Sequence, residues 1–80
     1  MDAMTTLDTR LRDQADDLVA RALGGAPATE EARDRLIDGV LHDPRVRDHV
    51  RRAEHARGKG DDVTRWREFW RALDVAGGRA

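Results

Sequence analysis

The chain contains no cysteine and no serine. Without thiols there is no disulfide framework, thiolate zinc site, iron–sulfur ligation or cysteine nucleophile, and without serine there is no serine nucleophile. The missing disulfides matter at 80 residues. A chain of that length buries only roughly 60% of the surface its unfolded form exposes, and small secreted domains usually carry such staples. A cytoplasmic location is therefore expected. Aromatics are scarce as well, limited to Trp66, Phe69 and Trp70. β-Branched residues are few, no segment alternates apolar and polar residues over a strand's length, and there is no internal repeat or low-complexity tract. The segment Met1 to Leu23 carries Asp2, Asp8, Asp13, Asp16 and Asp17 with no apolar run, which suits neither a signal peptide nor a membrane span.

Charge is what the chain has in excess. Asp, Glu, Lys and Arg make up 39% of residues, against about 25% in ordinary domains. The net charge is only −1, so no strong global field draws nucleic acid or membrane. The halves differ: residues 1–42 hold nine acids and five bases (−4), and residues 43–80 hold seven acids and ten bases (+3). Local pairing explains much of the content. Asp8–Arg12, Asp17–Arg21, Glu31–Arg35, Asp43–Arg47, Asp48–Arg52 and Asp61–Arg65 are all four apart with the acid N-terminal, the favourable orientation on a helix surface. One lysine stands against fourteen arginines, a usage that suggests a GC-rich bacterial genome.

The punctuation falls at Gly24-Gly25-Ala26-Pro27, Asp43-Pro44, Gly58-Lys59-Gly60 and Gly77-Gly78, and between these marks the apolar residues follow a helical period. The expected fold is all-α, a small three- or four-helix bundle in one domain spanning 1–80, with helices over about 5–23, 30–42, 44–57 and 62–76. Met4, Leu7, Leu11, Ala15, Leu18 and Ala22 form the stripe of the first helix, and Gly24 suits its left-handed cap. Thr29 caps the second, in which Gly39 weakens the helix unless a neighbour packs closely there. Asp43 and Pro44 suit the start of the third, whose inward face of Val46, Val50 and Ala53 is small. The fourth carries Val63, Trp66, Phe69, Trp70 and Leu73 on one side, a bulky face suited to pack on the small face of the third.

No constellation for catalysis, cofactor or metal emerges. His42, His49 and His55 do not converge with acids at a recognised ligand spacing. The D-x-x-D-D run of Asp13, Asp16 and Asp17 could hold a magnesium ion, but a solvated face with Arg10 and Arg21 as partners explains it better. Gly58-Lys59-Gly60 lacks the spacing and the preceding strand of a phosphate loop. The expected protein is thus not an enzyme on its own and takes no small-molecule substrate.

The aromatic stripe is the strongest feature. Trp66, Phe69 and Trp70 are either the core itself or a stripe partly turned to a partner, with Phe69, at its edge, the residue expected to protrude. The first functional reading is a helical protein–protein interaction module, an adaptor, a regulator or a self-associating protein. Its apolar faces on helices 1 and 4 are represented by Leu11, Leu18, Trp66, Phe69 and Trp70, and a homodimer through helix 1 is one form it could take. The second is a nucleic-acid binder using Arg51, Arg52, Arg57, Lys59, Arg65 and Arg71 on the hairpin of helices 3 and 4, with Arg65, Glu68 and Arg71 projecting away from the core. The third is a non-catalytic subunit of a larger enzyme.

Overall fold

A computed structural model describes the chain over residues 3–78, with side chains from residue 8 onward. Four helices follow one another: α1 (Ala3–Leu23), α2 (Glu30–His42), α3 (Pro44–Gly58) and α4 (Asp62–Ala76). No strand occurs among the described residues. The all-α expectation is met, and α2 and α3 are separate helices. Met4 and Leu7, assigned from sequence to the stripe of α1, lie outside the residues whose side chains are described.

Each boundary has a local cause. α1 ends at Gly24, whose φ of 58° and following φ of 87° at Gly25 lie in the left-handed region that glycine enters without strain. Thr29 starts α2 by accepting from the Ala32 amide at 3.1 Å. Asp43 does two jobs at once. Its extended backbone (φ −129°, ψ 112°) stops α2 while its own amide still donates to the Gly39 carbonyl at 2.7 Å. Its carboxylate accepts from the Arg45 amide at 2.9 Å and so opens α3 with Pro44 at the first position. The hydrogen bonds from the Arg45 side chain and amide hold the Asp43 carboxyl below its ordinary value. α3 closes with a paired motif in which the Asp61 amide reaches the Ala56 carbonyl (2.9 Å) and the Gly60 amide the Arg57 carbonyl (3.1 Å). Asp61 then caps α4 through the Thr64 amide at 3.1 Å, and hydrogen bonding from the Thr64 hydroxyl and amide holds its carboxyl below the ordinary value.

The helices close on one apolar cluster. Its largest fully buried side chains are Leu36, Val19, Val46 and Val50, with Leu18, Leu23, Ile37, Val40 and Phe69 around them. The most extensive helix contact is α3 on α4, as expected from the small face of α3; α4 also touches α2. α4 buries Phe69 and Ala72, with Trp66 and Leu73 partly buried against the cluster and Trp70 exposed.

Gly39 meets the condition set by the sequence. A Cβ there would stand 2.7 Å from Val46 Cγ1 and 3.1 Å from Val46 Cβ, and Val46 is fully buried. The absent side chain lets α2 and α3 approach at their joint. Gly39→Ala should gain about 1 kcal/mol of helix propensity and lose about 1–3 kcal/mol to overpacking. The expected outcome in urea denaturation is a less stable protein; a stabilised variant would show that the joint is loosely packed.

Candidate interaction surface

The rotation of α4 about its own axis decides which residues the molecule offers to a partner. Phe69 is only 4% exposed, whereas Trp70 is 62% and Val63 77% exposed. Trp66 lies between these extremes, partly buried against the core, with its ring edge-on to Phe69 at 5.7 Å. The sequence-based expectation is therefore overturned for Phe69, expected to protrude but a core residue, while Trp70, left open between core and partner surface, stands in solvent. At 100° per residue these neighbours diverge sharply, so a small turn of the helix exchanges them.

Polar contacts set that turn. Glu68, read from sequence as projecting away from the core, is buried. One carboxylate oxygen lies 2.7 Å from His49 Nδ1 of α3 and the other 3.6 Å from Arg71, the His49 and Glu68 side chains being 19% and 9% exposed. Arg65, also expected to face outward, is drawn in. Its Nε donates to the Ala22 carbonyl at 3.0 Å and an NH2 nitrogen donates to the Leu23 carbonyl. These are terminal carbonyls of α1, which no further amide of that helix can reach. The guanidinium also lies 4.4 Å over the Trp66 ring. No buried side-chain nitrogen or oxygen among the described residues lacks a hydrogen-bond partner.

The remaining candidates separate in the same way. Leu18 is buried in the chain's own core, reaching the surface only as part of the floor of a groove, while Leu11 is 43% exposed. Leu11 lines a shallow groove of about 200 Å³ whose other walls include Ala15, Val40 and Leu41, with Arg47 and Arg51 also beside it. Of the nucleic-acid candidates, Arg51, Arg52, Arg57 and Lys59 are exposed, and none has an acidic partner within ion-pair distance among the described residues. Arg65 is committed to α1, and Arg71 lies near Glu68.

Surface ion pairs form both at helical spacing and between neighbouring helices. Of the four-apart pairs expected from sequence, Glu31–Arg35 forms at 2.7 Å among the described residues. Arg21 reaches Glu54 of α3 (3.3 Å), Asp43 takes Arg45 (3.1 Å), and Arg65 lies near Asp62 (3.6 Å). In the D-x-x-D-D run, Asp16 pairs with Arg33 of α2 at 2.6 Å instead of with Arg10 or Arg21. Among the described residues no group of three or more His, Asp and Glu side chains could hold a metal ion, and no helix is long and apolar enough to cross a membrane.

No protein-family model, curated protein or solved structure matches the chain.

The two adjacent aromatics give a sharp contrast. Phe69→Ala should cost about 3–5 kcal/mol, and Trp70→Ala, at an exposed site, no more than about 0.5 kcal/mol. Thermal and urea denaturation of both variants reads the difference. If Trp70→Ala proves the more damaging, α4 is turned the other way.

Proposed function

We propose that this protein is a small helical interaction module whose main binding surface is the outer ridge of α4, with the exposed edge of α1 at Leu11 a second apolar site. The observation that carries the reading is the joint exposure of Val63 and Trp70, at 77% and 62%, two turns apart on one face. Single exposed apolar residues are common on any protein. A tryptophan and a valine in line are a better anchor, because tryptophan dominates binding energy at protein interfaces when a partner desolvates it. The buried acid that could otherwise serve chemistry, Glu68, is already engaged by His49 and Arg71.

The test uses a variant that spares the fold. Trp70→Asp should melt like the wild type, since the residue makes no core contact, and should lose the polypeptide that accompanies the untagged wild-type protein when it is purified from its native cells. An unchanged set of bound polypeptides would remove the α4 ridge from the binding surface.

A second reading, nucleic-acid binding, is favoured by one observation. Arg47, Arg51 and Arg52 on α3 and Lys59 at its C-terminal cap are exposed, and none forms an ion pair among the described residues. On this reading random-sequence duplex DNA binds at about 50 mM salt and dissociates steeply as salt rises, and Arg51→Ala with Arg52→Ala lowers the salt slope. Absence of binding at that salt would eliminate it.

A further inference from the structure

The outer ridge of α4 has an internal order that bears on what covers it. At 100° per residue, Val63, Arg67, Trp70 and Asp74 fall within an arc of about 60°, and all four are exposed. Along the helix the line therefore reads apolar, cation, aromatic, anion. Among the described residues Arg67 has no ion-pair partner within 4 Å, though it touches Thr64 Oγ1 at 3.5 Å and its charge is felt by Asp61, and Asp74 likewise has no cation within ion-pair distance. Beyond Asp74 the helix gives way to the exposed Gly77 and Gly78.

This line is its own complement. Let a second α4 lie antiparallel across the first, with the two-fold axis passing beside Trp70 between positions 70 and 71. Residues 67 and 74 then each lie three and a half residues from the axis, about 5 Å along the helix. Arg67 of each copy faces Asp74 of the other. The two Trp70 rings meet at the axis, and Val63 comes opposite Gly77-Gly78, where no side chain stands in its way. A parallel pairing would instead set Arg67 against Arg67 and Asp74 against Asp74. A closed two-fold contact requires this kind of self-complementarity, the same patch serving both sides. α4 rests on α3 and α2, which leaves the ridge open along its length.

We propose that a second copy of this chain covers the α4 ridge, laid antiparallel so that two reciprocal Arg67–Asp74 ion pairs flank a central Trp70–Trp70 contact. The proposal rests on the reading of the ridge as an interaction surface and adds the identity of its occupant. The tryptophans supply most of the affinity, and the ion pairs set register and direction. A contact one helix wide, from a 15-residue helix, lies at the small end of protein interfaces, so the dimer is weak and forms as concentration rises.

Sedimentation equilibrium of the purified full chain, from low micromolar to millimolar concentration, tests this. The expected result is a concentration-dependent dimer whose dissociation constant rises about thirtyfold in Trp70→Ala, the effect of losing a hot-spot residue. Arg67→Glu alone and Asp74→Arg alone each place like charges opposite one another and should weaken the dimer. The double variant Arg67→Glu/Asp74→Arg should restore it. All three positions are exposed, and matched thermal melting curves establish that the variants are folded. A wild-type chain that stays monomeric at millimolar concentration overturns the proposal, as does a dimer insensitive to Trp70→Ala or a double variant no better than the singles. If the chain is monomeric and Trp70→Asp still loses a foreign polypeptide from its native cells, the ridge keeps its role and only the second copy is excluded.

Discussion

The contact between Glu68 and His49 fixes the rotation of α4, and most of what the surface offers follows from it. A carboxylate buried to this degree is tolerated because an imidazole nitrogen stands 2.7 Å away; stripped of that partner, a buried charge is strongly destabilising. Arg65, three residues earlier and close to the same face of the helix, adds a second constraint by satisfying the carbonyls of Ala22 and Leu23 at the end of α1. To bury Trp70, α4 would have to turn both charged groups away from their partners. The helix keeps them, and Trp70 is left outside. Phe69 and Ala72 then join the core cluster that Val50 and Ala53 of α3 belong to, with Trp66 partly buried beside Phe69.

These contacts also explain which features the sequence discloses and which it conceals. The ends of the helices are legible because their causes are local: Thr29 bonds an amide three residues on, Asp43 one two residues on and Asp61 one three residues on, and the Gly24 cap belongs to its own helix end. The face of α4 is not. Its position depends on Glu68 meeting a residue 19 positions away and on Arg65 meeting carbonyls 42 and 43 positions away. By residue type alone, Arg65 and Glu68 belong in water and the neighbouring tryptophans do not, so a stripe drawn through Trp66, Phe69 and Trp70 points the helix the wrong way. One local signal does survive in the sequence: Arg67, Arg71 and Asp74 crowd the side on which Trp70 lies, whereas Ala72 and Ala76 mark the side that packs.

The exposed charges follow the same logic. Spacing along a helix identifies which acids and bases can meet, but an arginine free to choose takes whichever carboxylate the tertiary structure brings closer. Arg21 selects Glu54 on α3 over Asp17 on its own helix, and Asp16 selects Arg33 on α2. Both pairs tie α1 to its neighbours at the rim of a thin core. Exposed pairs of this kind contribute little individually; their consequence lies in which groups they leave over. Along the basic face of α3, Arg47, Arg51, Arg52 and the capping Lys59 have no ion-pair partner among the described residues, and neither do Arg67 and Asp74 on the ridge of α4.

An exposed tryptophan by itself would say little, since soluble proteins leave many apolar atoms in water. What bears on function is the conjunction on α4. A chain with three aromatic residues and a core built largely of valine, leucine and alanine could bury all three rings to its advantage, and the cost of not doing so grows as the core becomes smaller. Here the third ring is held out by two polar contacts, Glu68 on His49 and Arg65 on the end of α1. The sequence retains the charges. Beside the ring they expel it places a cation one turn before and an anion one turn after along the helix. Stability of the isolated chain gives no reason for that arrangement. The antiparallel self-association proposed for this ridge supplies one.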